Sequence, residues 1–512
     1  MTQCRAVARP RSHVISSPLA VALLLAAGFW ILDLAVLRAG VPDPLDDTWE
    51  YGVAARHLVA GDGYRTSVIH PPLWTLRDSA LTVPVLIHGP LIPALIAPLT
   101  LALGDRAIDS IAWIGAIFAT LTLIPLVRLA RRLFDDHVAI GAAMLVTLSP
   151  SMIRAVNHDP ALAIGAFFFT LALDLAWRPE SRPLAAGIAI GVASLIRPEM
   201  ILAGGMLVLF ADPRARWPLA LGLIACVSPW WIHQYRATGV PFFNLSSYLL
   251  IGYSERYPQL AVLRDFHLPP SAWPAALRDM LPTLPRKWIH WAPRAAKHAL
   301  LAPSAATGVL ALFGLARWVS TSNQARLAKR AALLAAIPIV IMITAEHSPR
   351  YVTPFLSLWV IAAACGAREI MALIPALARR RGASIALLAI LVLPSTIMEL
   401  TRSTREARVL EARLESEREA LRPLRLSTIN ARLPGDVKEL PPMFSDTPDF
   451  VAWSTGRSVV WVTADEYLKL PFPSEPGAGV IPYRGSAEYT WFHDPEGHAG
   501  RIGRLPWEAA PR

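Results

Sequence analysis

Apolar runs of about 13 to 20 residues recur along nearly the whole of the first 400 positions. In lipid every backbone N–H and C=O must find its partner inside the same segment, so runs of this kind become membrane-spanning helices. The chain is 54% hydrophobic and 17% charged over 512 residues, where a soluble domain would carry roughly a quarter charged. The fold class is therefore a polytopic α-helical membrane protein. A formal charge of +11 would suit a nucleic-acid binder. Here the Lys and Arg fall in short clusters between apolar runs, so membrane topology explains them and no nucleic-acid partner is expected. Cys4, Cys226 and Cys365 are scattered, with neither metal-ligand spacing nor a disulfide framework.

Residues 1–17 carry Arg5, Arg9 and Arg11 and read as a cytoplasmic tail before a retained first helix. Residues 39–106 form a first outer loop. Its last part, 85–104, is apolar but broken by Pro90, Pro93 and Pro98, and is expected to lie against the outer leaflet. A zigzag of about eleven spans, with a second long outer loop at 235–299, gives every inner loop basic residues such as Arg214/Arg216 and Arg379–Arg381. The transmembrane unit is thus 18–400. An odd count places the C-terminus outside, in a plasma membrane. Beyond Leu400 the pattern changes to a charged amphipathic helix at 404–422, then short β-like runs at Ser458–Thr463 and Val480–Tyr483. Residues 401–512 are expected to be a small α/β domain outside the cytoplasm.

Under this topology the polar residues that interrupt the hydrophobic pattern gather at the outer face. They include Asp46, Asp47 and Glu50; His70 and His88; His158-Asp159; Arg197-Pro198-Glu199; His233 and Arg236; and Glu346-His347 with Arg350-Tyr351. Any one of them can simply solvate a helix end. Carboxylates and several cations around one outer cavity suit an anionic substrate and acid–base chemistry.

Asp47-Thr48-Trp49-Glu50-Tyr51, followed by Ala55-Arg56-His57-Leu58 and Gly61-Asp62-Gly63, resembles the first-loop signature of the GT-C membrane glycosyltransferases. The branch it resembles holds the protein O-mannosyltransferases and lipid A aminoarabinose transferases. His88-Gly89-Pro90 resembles the interfacial helix of that group, Asn157-His158-Asp159-Pro160 its second acidic site, and Leu195-Ile196-Arg197-Pro198-Glu199 its L-x-R-P-E turn. Arg350-Tyr351-Val352-Thr353-Pro354 is similar to its R-Y-x-x-P. Pro229-Trp230-Trp231 with Arg236 is similar to its P-W element, with the Arg displaced and no Asn following. His88 stands where members often place Lys or Arg. The Asp46-Asp47 doublet leaves two candidates for the acid, and spacing to Tyr51 favours Asp47.

The resemblance implies inverting transfer of a hexosyl or pentosyl group from a polyprenyl-phosphate carrier to a glycan, lipid or protein acceptor. It implies catalytic roles for Asp47, Asp46 and Asp159. Substrate contacts fall to Glu50, Tyr51, His88, Arg197, Glu199, Arg236, Arg350 and Tyr351. Membrane lipid is the other expected partner. The resemblance allows a divalent metal, which some GT-C enzymes use, but no His/Asp spacing here demands one. Two alternatives belong to other classes: a transporter, which would carry mid-membrane charges on broken helices and a half-to-half repeat, and a lipid-linked glycan ligase, which need not carry the Asp47 signature.

Overall fold

The structure is a computed structural model describing residues 17–37, 40–41, 47–178, 180–254, 256–321, 325–378, 382–422, 442–445, 447–462, 489–493 and 499–502. Asp46 and the run at 480–483 lie outside the described residues. Among the described residues, five helices are long and apolar enough to cross a membrane, or up to seven if each of two bent pairs is one span. The sequence pattern led us to expect about eleven. Part of the difference is length: Pro160–Ala176, Pro183–Ile196 and Met200–Phe210 are apolar but only 10–17 residues long.

Among the described residues, ten α-helices fall within 17–238: α1 (Ser17–Ile31), α2 (Thr48–Ala60), α3 (Leu91–Leu103), α4 (Ile111–Leu133), α5 (Asp136–Leu148), α6 (Pro150–His158), α7 (Pro160–Ala176), α8 (Pro183–Ile196), α9 (Met200–Phe210) and α10 (Pro213–Thr238). Proline punctuates them: Pro150, Pro160, Pro183 and Pro213 each occupy a first helical position, where the missing N–H costs nothing. The expected outer loop at 235–299 is itself largely helical, with α11 (Trp273–Met280) and α12 (Leu284–Leu301). It leads to α13 (Ala305–Thr321), α14 (Ala325–Thr344) and α15 (Leu356–Ala372). Between α14 and α15 runs a 3₁₀ turn, Pro349–Phe355. After the short α16 (Pro375–Ala378), α17 (Ala383–Leu421) is a single 39-residue helix.

Small residues let these helices approach closely. A Cβ at Gly187 of α8 would sit 2.0 Å from the Leu219 carbonyl oxygen of α10, so those two backbones are in contact. Phe169 of α7 packs at a tilt against Phe355, with ring centroids 4.9 Å apart, and this joins α7 to the turn before α15. The main apolar core lies among the spans, and a second core joins α2 and α3 to the C-terminal region.

That second core reveals an arrangement not expected from the sequence. Alongside a small ribbon of β1 (Arg65–Thr66) and β3 (Val83–Pro84), a five-stranded sheet has the order β2-β5-β4-β6-β7. Its strands are β2 (Val68–Ile69), β4 (Met443–Ser445), β5 (Val459–Trp461), β6 (Tyr489–His493) and β7 (Ala499–Ile502). Val68 pairs in parallel with Val459, so the loop between α2 and α3 supplies an edge strand to the C-terminal sheet. The helix Pro448–Thr455 lies on α2: Trp49 meets Phe450 edge-on at 5.1 Å, and Arg56 lies 3.5 Å over the Trp453 ring.

Candidate active site

Asp47 occupies the N-cap position of α2, but its side chain makes no capping bond. Its carbonyl accepts from Tyr51 N–H at 3.1 Å, leaving the carboxylate free to turn outward. Asp47 Oδ2 lies 3.5 Å from Arg350 and 4.0 Å from Arg197. Thr48 Oγ1 donates to the His158 carbonyl at 3.1 Å, which ties the start of α2 to the α6–α7 corner.

Asp159 sits at that corner. The following Pro160 disfavours helical geometry at the residue before it, and Asp159 adopts φ −139°, ψ 80°. The break aims its carboxylate at Arg197, 3.3 Å away, while Oδ1 is buried without a hydrogen-bond partner. Arg197 terminates α8 for the same reason, being followed by Pro198, and its Nε donates to Glu199 at 2.7 Å. The Arg197 side chain is only 7% exposed. Arg350, on the 3₁₀ turn, donates to Glu346 at 2.8 Å, and the Tyr351 hydroxyl donates to the same carboxylate oxygen at 3.1 Å. Its side chain is 34% exposed and its Nε has no partner. The two guanidiniums thus differ. Arg197 is enclosed by carboxylates, whereas Arg350 is partly exposed and has a buried Nε without a partner.

Beside this network lies a buried triad. Glu50, on the first turn of α2, meets His88 Nε2 at 3.1 Å and His70 Nε2 at 3.6 Å. Burial favours the neutral carboxyl, but attraction to His88, with its hydrogen bond, and to His70 overrides it and holds Glu50 at about 2. Burial likewise opposes a charged His88, and Glu50 overrides it, raising the imidazole above its ordinary value. Asp47 is held below the usual carboxylate range: burial opposes this, and Arg350 outweighs it with help from His88 and Arg197. The loop carrying His88 is fixed by Tyr64, whose hydroxyl donates to the carbonyls of His88 and Gly89. A Cβ at Gly89 would fall 1.8 Å from the Leu195 carbonyl oxygen, so only glycine lets this loop reach α8.

The pair dictates a pH window. A depressed Glu50 stabilises the fold fully above the unfolded carboxyl's value, roughly 4.3, and this is lost as pH falls towards about 2. A raised His88 stabilises fully below roughly 6.5, and this is lost as pH rises through its higher folded value. Glu50→Gln is expected to lower stability by roughly 1–3 kcal/mol and to flatten the alkaline fall in melting temperature. Thermal unfolding in detergent between pH 5 and 9 checks this. An alkaline limb as steep in the variant as in the parent would mean that Glu50 does not hold His88 charged.

Of the residues singled out in the sequence, Asp47, Asp159, Arg197, Glu199, Arg350 and Tyr351 come together, with Glu50 and His88 joined alongside. The Tyr51 ring packs edge-on against His88 at 4.7 Å. Arg236 does not join them; it is exposed on the last turn of α10 and forms no ion pair among the described residues. Glu346 and His70 were visible only as polar interruptions, yet Glu346 stands four residues before Arg350, the spacing of a helical ion pair. Asp33, fully buried on a π-helical turn, had no signal beyond being a lone acid in an apolar run. Among the described residues no group of three or more His, Cys, Asp or Glu is arranged to hold a metal ion.

Residues 88–233 match the family model described as dolichyl-phosphate-mannose-protein mannosyltransferase. No curated protein matches the chain by sequence. Among solved structures, the archaeal oligosaccharyltransferase AglB from Archaeoglobus fulgidus, in complex with an inhibitory peptide and a dolichol-phosphate, superposes with a TM-score of 0.56. Identity is 13%, and the match covers 98% of this chain and 75% of that one. The same Archaeoglobus enzyme in complex with Zn and sulfate gives 0.56 at 14% identity, covering 96% and 73%. The fold is that of the GT-C glycosyltransferases. ArnT from Cupriavidus metallidurans in the apo state aligns over 93% of both chains, with a TM-score of 0.49 and 15% identity. The GT-C resemblance read from the sequence is borne out, and the GT-C match at 88–233 contains His88, Asp159, Arg197 and Glu199.

Proposed function

We propose that the protein transfers a sugar from a polyprenyl-phosphate carrier to an acceptor hydroxyl at the outer face of a plasma membrane, with inversion at the anomeric carbon. The observation that carries this is the placement of the Asp47 carboxylate, ionised and uncapped at the head of α2, 3.5 Å from a partly exposed guanidinium. A hydroxyl is a poor nucleophile until a base takes its proton, and Asp47 is available for that. As the acceptor oxygen bonds to the anomeric carbon, the bond from that carbon to the phosphate oxygen breaks and the proton passes to Asp47. The carrier leaves as a phosphate, whose growing charge the partly exposed Arg350 guanidinium meets. Arg197, enclosed by Asp159 and Glu199, orients the carboxylates around it. A single displacement from the opposite face needs no covalent sugar–enzyme intermediate.

Support for a lipid-linked donor comes also from the Archaeoglobus relative of this fold, which was solved with a dolichol-phosphate. In right-side-out vesicles, radiolabelled polyprenyl-phosphate sugars with an acceptor mixture are expected to yield labelled product, and inverted vesicles to yield none. Counterflow of label without turnover would instead make the protein a carrier and end the transferase reading.

A further inference from the structure

Two cavities follow one another between the end of the first span and α17, away from the carboxylate–arginine network. The lower one, about 570 Å³, has an apolar floor of Leu37, Ile397 and Leu400, followed along α17 by Thr401 and Thr404 and then by Arg405, Arg408 and Val409. Ile397 and Val409 are more than half exposed, as lipid-facing side chains are. The upper one, about 550 Å³, is lined by Trp113, Asp109, Arg418 and the acids Glu411 and Glu415. Arg418 answers Asp109 at 3.9 Å. Arg405, Arg408, Glu411 and Glu415 are exposed, and among the described residues none of the four is in an ion pair.

The lining residues of α17 recur at intervals of three and four, so they form one stripe along the helix. Read outward, that stripe is apolar, then cationic at Arg405 and Arg408, then acidic at Glu411 and Glu415, and it ends in Arg418 and Glu419. Arg408 and Glu411 are three residues apart, a rise of about 4.5 Å. This matches the short reach from phosphate to amine across an ethanolamine headgroup. Trp113, 39% exposed, adds an aromatic face at the level where an ammonium would sit. A purely anionic lipid would satisfy the arginines but face the two acids. A free phosphate would leave the apolar floor uncovered.

We propose that this cleft holds one zwitterionic aminophospholipid of the surrounding membrane. Its acyl chains lie along Ile397 and Leu400, its phosphate between Arg405 and Arg408, and its ammonium towards Glu411 and Glu415. The site does not depend on the transferase reading.

The test uses the full-length protein, purified in mild detergent from an equimolar mixture of phosphatidylethanolamine and phosphatidylglycerol, with retained lipid counted by native mass spectrometry. The parent is expected to keep about one phosphatidylethanolamine in preference to phosphatidylglycerol. Arg405→Ala with Arg408→Ala should lose it. Because those changes sit on a long helix, a second variant reads charge alone. Glu411→Gln with Glu415→Gln should still bind phospholipid but shift the preference towards phosphatidylglycerol by on the order of five- to tenfold. Equal retention of both lipids by the parent, or an unchanged preference in the glutamine variant, would overturn the proposal. So would displacement of the retained lipid by a polyprenyl phosphate.

Discussion

Asp47→Asn is expected to slow sugar transfer by roughly 10²–10⁴-fold, while the protein folds and binds its donor nearly as before. Asn keeps the size of the side chain and can still face Arg350, but cannot accept the acceptor's proton. Asp47 is the acid to test because its carboxylate is held ionised by Arg350, His88 and Arg197 against the cost of burial. Glu50 is also ionised but is already engaged by two histidines. Glu50→Gln should therefore act mainly on stability. Steady-state rates with labelled donor, set beside donor binding by the same variant, separate the two effects. Near-parent turnover in Asp47→Asn, with turnover abolished in Asp46→Asn or Glu50→Gln, would move the base to one of those residues. Full turnover in all three would remove the carboxylate mechanism.

Arg350→Ala is expected to weaken donor binding and to cost roughly 10²–10³-fold in transfer rate, the loss usual for one preorganised donor to a developing anion. Lys at the same place should recover part of this, because it restores charge but not the forked geometry. The Glu346 contact spends one nitrogen, the Asp47 contact another, and the side chain stays partly exposed. Arg197→Ala would read differently. That change leaves Asp159 and Glu199 without their shared partner in a nearly closed site, so stability should fall along with activity. Unchanged donor affinity and rate in Arg350→Ala would return this residue to a simple interfacial cation.

Much of the site was legible because proline and charge are both conspicuous in apolar sequence. Asp159-Pro160 and Arg197-Pro198 each break a helix at a charged residue, and the structure brings those two residues within 3.3 Å. The first-loop acids were likewise marked by position. What was not legible depends on partners far apart in the chain. β2 is two residues long, too short for any alternating pattern, and becomes a strand only because Val459 lies beside it. The change of composition at Leu400 looked like a boundary, yet α17 runs straight through it. No Gly or Pro occurs from Ser395 to Leu421, so nothing in the backbone ends the helix where the surrounding solvent changes. The span count suffered for a related reason, since helices shorter than a bilayer's thickness still read as apolar runs.

The shared sheet sets an order of events during synthesis. Val68 leaves the ribosome early, but its strand partner Val459 is made only after nearly every span has been inserted. Until then α2 lacks the Phe450 and Trp453 surfaces against which it rests. Closing so long a loop adds little entropy beyond closing a shorter one, since the cost grows only with the logarithm of length. The delay is therefore kinetic. A nascent protein arrested before residue 448 would sit fully threaded through its membrane with its first loop unbraced, and activity would appear only when the last strands arrive.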